Sequence, residues 1–481
     1  MERGFSASID QMNNLPVSQD GSIDLSRRDF VKNSSFTAAM LALGGVPLFA
    51  QEKPADGTSF NANAVQTVQK VAVIGCGEWG REILKELSLI SVTDKTTGTV
   101  TNRAEVVAVC DPYAVSLRRA KEAAPKAEGY TDYKKALERK DLHAVLVATP
   151  THKHKDIVLD ALAAGKHVYC ESPMANTIDD ARAIAKAARE NPRSYFQPGQ
   201  LLRSHPHQAF LMGFIRSGAA GTPIKARAQW HKKTSWRRSA PTAEREKELN
   251  WRLEKEISLG LVGEVGIQQI DVVNWLWNKR PVAVTGFGNI AAYQDGRTTD
   301  DTVQAIYEYA DGVTFNFEAS LGTSFDSQYE VIYGGDSTVL SRGNKAWMFK
   351  ETDAPLLGWE VYARKEVFGA ETGIALIANA SKSTQEKGST LDAPNSEPPL
   401  HFALENFVKN CELYGNSVED FAATFDVKDT KALSEYLASV KGRAAAANAQ
   451  EGFEATVLAI KGAEAVAKRE RVKIEKALFQ I

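Results

Sequence analysis

The stretch Val71-Ala72-Val73-Ile74-Gly75-Cys76-Gly77-Glu78-Trp79-Gly80 sets a short apolar run directly before three glycines spaced G-x-G-x-x-G. The β-favouring residues predict a buried strand, and Arg81-Glu82-Ile83-Leu84-Lys85-Glu86-Leu87 predicts the first turns of an amphipathic helix. Strand, tight turn and helix in that order admit few folds. In a dinucleotide-binding βαβ unit, Gly75 permits the turn, Gly77 lets a pyrophosphate approach the backbone and Gly80 lets helix and strand pack closely, with the phosphates on the helix N-terminus. Glu78 and Trp79 stand within the same turn. Glycine-rich turns are common after strands, so a purely structural turn is the competing reading. A second apolar run, Glu105-Val106-Val107-Ala108-Val109-Cys110, ends in Asp111, the type of residue that holds a ribose hydroxyl pair. Asp111 lies 31 positions beyond Gly80, against a usual ~20; the polar stretch from Ser91 to Arg103 reads as an insertion that accounts for the excess. A carboxylate there repels a 2′-phosphate, so NAD is favoured over NADP.

Around this unit the chain has 481 residues, 43% of them hydrophobic, and a formal net charge of −2. That length accommodates two or three domains, and that charge gives no pull toward nucleic acid or an anionic membrane, which leaves small molecules as the expected partners. Four cysteines, none in a Cys-x-x-Cys arrangement, argue against a disulfide framework or a thiolate metal site. Cys76, Cys110 and Cys170 each follow an apolar run and read as small buried residues.

The amino terminus reads as an export signal. Ser26-Arg27-Arg28-Asp29-Phe30-Val31-Lys32 precedes a modestly apolar region, residues 36–50, and this matches a twin-arginine signal. The apolar region is shorter than the ~20 residues a spanning helix needs, so no integral span is expected. Cleavage after Ala50 would leave 54 basic against 55 acidic groups, although Leu48 is larger than the small residue usual at that place. Twin-arginine export carries folded proteins, often ones loaded with a cofactor beforehand, so a dinucleotide motif behind the signal predicts a tightly held cofactor in a periplasmic or secreted protein.

After a polar linker at 51–68, strands and helices alternate: strands at 70–75, 105–110, 143–149 and 167–171, helices at 79–90, 114–123, 132–138, 153–164 and 177–190. Near-continuous apolar strands in this rhythm predict a parallel sheet covered on both faces, a Rossmann domain over 69–198 that Pro198-Gly199 closes. Beyond it the pattern becomes a helix at 205–217, a strand near 223–230, a long basic loop, a helix near 263–277 and β-rich alternation over 281–350, with a hairpin about Ala310-Asp311-Gly312. The expected fold is α/β: the Rossmann domain followed by a C-terminal α+β domain, 199–481, with an open, mostly antiparallel sheet.

Four stretches in order resemble the Gfo/Idh/MocA oxidoreductase family: Val73-Ile74-Gly75-Cys76-Gly77; Ala148-Thr149-Pro150-Thr151-His152-Lys153-His154; Gly165-Lys166-His167-Val168-Tyr169-Cys170-Glu171-Ser172-Pro173; and Gly263-Glu264-Val265-Gly266-Ile267-Gln268-Gln269-Ile270-Asp271. A weaker echo follows at Glu451-Gly452-Phe453-Glu454-Ala455. The resemblance implies NAD(P) on the first domain, with Thr149, Pro150, His154 and Glu171 joining the glycine turn and Asp111 around it. It also implies a sugar, polyol or related compound in the cleft and homo-oligomers built through the open sheet. Most members place a lysine of a Glu-Lys-Pro triplet beside the nicotinamide, and an Asp-x-x-x-His element on a C-domain helix supplies acid and base.

This chain departs at each of those positions. Ser172 replaces the lysine, Glu264 the aspartate and Gln268 the histidine, and glutamine exchanges no proton near neutral pH. Glu264, desolvated in a cleft, is the preferred base, with Asp271 further along the same expected helix face as an alternative carboxylate or an ion-pair partner. The stretch from Trp230 to Arg238 and Asn250-Trp251-Arg252 interleave aromatic faces with cations that suit sugar rings; Lys232 is one replacement for the missing relay, and a solvated basic loop is the bland reading. The expected activity is oxidation of a sugar, polyol or cyclitol, with hydride passed on or a neighbouring C–H acidified for elimination. A cofactor-stabilised carbohydrate-binding protein without turnover is the alternative.

Overall fold

The computed structural model describes residues 68–93, 100–368, 371–376 and 397–481. The twin-arginine segment and nearly all of the linker lie outside the described residues. The first sheet has strands β1 (Gln69–Ile74), β2 (Ala104–Cys110), β3 (Glu128–Tyr130), β4 (Ala144–Val147), β5 (His167–Cys170) and β6 (Phe196–Pro198), in the order 3-2-1-4-5-6. Every pairing in it is parallel. Val71, Val73, Val145 and Leu146 are fully buried because helices α1 (Glu78–Leu89), α2 (Ala114–Ala123), α3 (His154–Ala163) and α4 (Ile178–Glu190) cover both faces. The polar stretch read as an insertion is a hairpin, Ser91–Thr93 against Val100–Asn102.

The second sheet holds ten strands: β7 (Pro223–His231), β8 (Ala283–Asn289), β9 (Thr302–Glu308), β10 (Thr314–Ser320), β11 (Gln328–Gly334), β12 (Ser337–Arg342), β13 (Lys345–Lys350), β14 (Lys365–Phe368), β15 (Glu371–Leu376) and β16 (Arg471–Lys473). Their order is 14-15-13-12-11-7-10-9-8-16. β7 and β10 run parallel, and every other neighbouring pair is antiparallel. The expected hairpin is β9–β10, with Gly312 at φ +84° in its turn. Helices α5 (Pro206–Arg216), α6 (Ala243–Leu249), α7 (Gly260–Glu264) and α8 (Ile267–Trp277) follow the first domain. The single helix expected over 263–277 is broken at Val265–Gly266. A Cβ on Gly266 would come within 2.6 Å of the Phe317 ring, so the chain must turn where only glycine passes under β10.

The C-terminal helices return to both sheets, which sequence order does not reveal. Helix α9 (Pro399–Ala422), expected in the C-terminal domain, packs on the first sheet instead. Its buried Leu400, Leu404, Phe407, Val408 and Cys411 share a core with Val71, Ile83, Leu87 and Tyr169, and each such side chain contributes about 1.5–3 kcal/mol by leaving water. After α10 (Thr430–Ser439), α11 (Ala449–Lys468) is capped by reciprocal bonds between Asn448 and Glu451 and runs between the two domains. Gly452 fits there because a Cβ would meet Pro198 at 2.5 Å, and Gly462 because one would meet the Tyr307 hydroxyl at 2.2 Å. Cys76, Cys110 and Cys170 are buried thiols, as their positions after apolar runs suggested, and Cys411 is a fourth.

Beneath α8, Gln269 Nε2 donates to Glu330 Oε1 (3.0 Å) and to the Gln229 carbonyl (2.8 Å). Burial pushes the Glu330 carboxyl from its ordinary 4.5 to about 7. The folded protein therefore keeps a proton that the unfolded chain releases near 4.5, and the stability this gives is full below 4.5 and lost as pH rises through about 7. Glu330→Gln is expected to raise the unfolding midpoint at pH 8 relative to the parent chain, with the difference shrinking toward pH 5. Equal midpoint differences at both pH values would remove the assignment.

Candidate functional site

The loops leaving β1, β2, β4, β5 and β6 meet at one edge of the parallel sheet, with the strand order reversing between β1 and β4, the place where open α/β sheets bind ligands. Gly75 has φ +92°, and a Cβ on it would lie 2.7 Å from the Ala148 backbone. A Cβ on Gly80 would lie 1.9 Å from the Gly75 carbonyl oxygen, so α1 packs on β1 only with glycine there. Above Gly77 there is open space: no heavy atom lies within 4 Å of a Cβ position. These three environments are the ones a pyrophosphate-binding turn requires. Glu78 begins α1, and Trp79 beside it is 40% exposed.

Asp111 closes the turn from β2. Its carboxylate accepts from the Cys76 N–H at 2.9 Å and the Tyr113 N–H at 2.8 Å, fixing the glycine loop to the end of β2. Desolvation raises its pKa, and the two N–H groups oppose that shift. Further along the edge, Thr149 Oγ1, Glu171 Oε1, Ser172 Oγ and both amide atoms of Gln200 are buried without a hydrogen-bond partner in the protein. Buried polar atoms are rarely left this way, and this row of donors and acceptors suits a polar ligand along β4, β5 and β6. Pro150 precedes the turn that starts α3. His154 is buried, with Nδ1 3.0 Å from the Pro173 carbonyl and Nε2 2.9 Å from that of Thr149. Burial lowers its pKa, and the neutral ring has one N–H to donate to one of these two carbonyls; at 1% exposure His154 forms part of the wall behind the edge.

Glu264 lies against this edge with 2% of its side chain exposed. Its Oε2 accepts from Thr151 Oγ1 at 3.1 Å and its Oε1 from the Leu259 N–H at 3.3 Å. Desolvation raises its pKa, offset in part by the charge of Arg252 at 4.0 Å. Glu171 is raised to about 7, again chiefly by desolvation; the neighbouring donors of Trp79, Tyr169 and the Ser172 N–H oppose the shift first, and the charge of Arg252 adds to that opposition. One guanidinium thus acts on both carboxylates. It is 47% exposed and lies 4.7 Å from the Trp251 ring centroid and 5.9 Å from that of Trp236. The Trp251 ring in turn meets His152 edge-on at 5.8 Å.

The other expected relay groups are placed differently. The helix break separates Glu264 from Gln268, so the two do not share the continuous helical face that i, i+4 spacing implies. Gln268 donates to the Gly199 carbonyl (2.7 Å) and accepts from the Leu201 N–H (3.0 Å); both ends of its amide hold the loop after β6. Asp271 forms a buried two-point ion pair with Arg203 at 2.7 and 2.8 Å, settling its alternative roles in favour of the ion pair. Lys232 is exposed, and among the described residues no hydrogen bond or ion pair joins it to Glu171 or Glu264. Sequence reasoning named the Asn250-Trp251-Arg252 stretch without singling out Arg252, and passed over Gln200. The alternation of tryptophan with arginine was the available signal; nothing local marked Gln200. Among the described residues no group of three or more histidine, cysteine or acidic side chains is arranged to hold a metal ion.

This geometry defines a dinucleotide-binding α/β domain joined to a second domain whose residues reach its ligand edge. Residues 69–198 match a profile described as an oxidoreductase family with an NAD-binding Rossmann fold, and residues 211–339 match the GFO/IDH/MocA C-terminal domain. The chain belongs to the Gfo/Idh/MocA oxidoreductase family, and its N-terminal domain is an NAD-binding Rossmann fold.

Among its relatives, inositol 2-dehydrogenase of Salmonella typhimurium is 28% identical over 212 residues, 44% of this chain and 55% of that protein. Levoglucosan dehydrogenase of Pseudarthrobacter phenanthrenivorans is 24% identical over 233 residues, 44% of this chain and 58% of that protein. The chain thus aligns with little more than half the length of these relatives. A levoglucosan dehydrogenase structure in complex with NADH superposes with a TM-score of 0.62 at 17% identity, covering 85% of this chain and 99% of that one. An aldose-aldose oxidoreductase from Caulobacter crescentus, complexed with glycerol, gives 0.56 at 16% identity, covering 85% and 100%.

Proposed function

We propose that this protein is an exported NAD-dependent oxidoreductase that acts on a ring hydroxyl of a sugar, polyol or cyclitol while keeping its cofactor bound. The observation that carries the reading is the buried Glu264 carboxylate, 4.0 Å from the half-exposed Arg252, at a ligand edge of the Rossmann domain that also holds the buried Glu171. The relatives named as dehydrogenases of inositol and levoglucosan support the substrate class; the twin-arginine run supports export. When bound, NAD supplies a hydride acceptor. Gly75, Gly77 and Gly80 give it a turn without side chains, Asp111 faces its ribose, and Glu171 Oε1 and Thr149 Oγ1 offer unused acceptors to its hydroxyls.

Glu264 takes the substrate's hydroxyl proton, its basicity raised by burial and held in range by Arg252. Arg252, with Trp236 and Trp251 beside it, holds the sugar ring by donor bonds and aromatic faces, and supplies the positive charge that Ser172 lacks. Once the ring hydroxyl is a carbonyl, the neighbouring C–H is acidic. Loss of that proton with a β-substituent, addition of water and reduction of the carbonyl would give hydrolysis without net redox.

A second reading, a carbohydrate-binding protein without turnover, is favoured by the structural use of Gln268. One experiment separates the three. The nucleotide released on denaturation is identified by absorbance and mass, and the loaded protein is then presented with sugars, cyclitols and aryl glycosides. A nicotinamide absorbance change with some polyol supports the oxidoreductase, and aglycone release at constant absorbance supports the elimination route. Affinity without either leaves a binding protein.

A further inference from the structure

The basic loop of the second domain does more than follow β7. From Trp236 to Arg252 it crosses to the first domain and touches it at two points beside the glycine turn. The Arg238 guanidinium pairs with Glu78 in the first turn of α1. The Arg245 guanidinium stacks on the Tyr113 ring, 4.0 Å from its centroid, immediately beyond Asp111. Between these points the segment is stiffened by its own bonds. Asn250 accepts from the Arg238 N–H at 2.7 Å and donates to the Arg238 and Glu246 carbonyls at 2.7 and 2.8 Å. Arg237 binds the Asp295 carboxylate at 3.1 Å. Arg245 Nε is buried without a hydrogen-bond partner, although its Nη1 is used by Glu248 at 2.9 Å; Arg237 Nε is the other such atom of the segment and lies against Asp295.

Resting on the proposed cofactor reading, we propose that the segment 236–252 completes the dinucleotide site from outside. Arg245 provides a donor to the adenosine half beside Asp111 and Tyr113, and the Arg238–Glu78 contact closes over the pyrophosphate turn, so that a bound nucleotide leaves only when the segment lifts. The open space above Gly77 belongs to the same turn as Glu78, the residue that Arg238 holds, and the unused Arg245 Nε finds its acceptor on the nucleotide. The Rossmann domain alone would hold adenosine on one side; the second domain supplies the other. Tight retention, which folded export demands, then has a structural source in the chain itself.

The test is nucleotide release from the full-length protein. The parent chain, Arg245→Ala, Arg238→Glu and Glu78→Gln are loaded with NAD, passed through gel filtration, and the rate and amount of NAD lost on dilution are followed by absorbance and mass. The parent chain is expected to retain NAD. Arg245→Ala should release it at least about tenfold faster while still binding at saturating NAD, and Glu78→Gln, a change at an exposed side chain that leaves the segment untouched, a few-fold faster. The surface Arg238–Glu78 contact also predicts release that quickens with salt. If the variants release NAD at the parent rate, the closure is wrong while the cofactor reading stands. If the parent chain takes up no NAD, the cofactor reading itself fails and the closure with it. Unfolding midpoints of the variants matching the parent's assign faster release to the site; for an Arg245→Ala that unfolds, Glu78→Gln decides.

Discussion

Arg252→Ala is expected to lower kcat by about 10²–10³, the loss seen when one preorganised donor is removed from a catalytic site, and to move the rising limb of the pH profile to higher pH. The sign follows from position. Arg252 is the cation whose charge stabilises the ionised forms of both Glu171 and Glu264, each already raised by desolvation. Without it both carboxylates hold their protons to higher pH, and the base is ionised in less of the protein at neutrality. Arg252→Lys should restore part of the rate, because charge returns but the planar fork does not. Glu264→Gln should instead abolish the limb that reports its ionisation and lose about 10²–10⁴ in kcat, the range for a general base. A rate loss in Arg252→Ala with an unmoved pH profile would leave arginine a substrate anchor only, and would remove its coupling to the carboxylates.

Asp271→Ala is expected to destabilise the fold by about 3–5 kcal/mol, because it leaves the Arg203 guanidinium buried opposite an empty space. Arg203 is 10% exposed in its side chain and Asp271 4%, and Arg203 also binds Glu451 Oε1 at 2.6 Å. That second partner ties α11 to the helix carrying Asp271, so the loss falls on the joint between domains and not on one element. Urea unfolding at constant slope measures it. Arg203→Met with Asp271→Leu removes both charges and should recover most of the loss, since a buried pair costs less to delete whole than to break. A loss under about 1 kcal/mol for Asp271→Ala would mean that water or Glu451 already satisfies the arginine.

The first sheet was legible because its information is local. Apolar runs before Gly75, Asp111 and Glu171 mark strands buried on both faces, and the glycine spacing marks a turn that backbone sterics alone demand. The strands and helices expected between 70 and 190 are found within a few residues of their expected ends. The second sheet was legible as alternation, the β9–β10 hairpin most clearly, but its ten-strand order was not. The alternation expected over 281–350 stops short of β14 and β15, which lie at the sheet's far edge. The twin-arginine run on which the proposed export rests lies outside the described residues.

What the chain determined by itself was the chemistry available: a glycine turn after the first strand, Asp111 at the end of the second, Glu264 and Glu171, and serine and glutamine at positions 172 and 268. What only the tertiary structure decided was which of these groups meet. The glycine break under Phe317 turns Glu264 toward Thr151 and Arg252 and leaves Gln268 on the Gly199 loop. Arg203 takes Asp271 out of the site, and burial takes His154 into the wall. Helix α9 returns from the far end of the chain to complete the first core. Each of these outcomes depends on contacts between residues far apart in sequence, whose energies no local pattern encodes. The sequence lists the donors, acceptors and charges; burial decides which are paired away and which are left for a ligand.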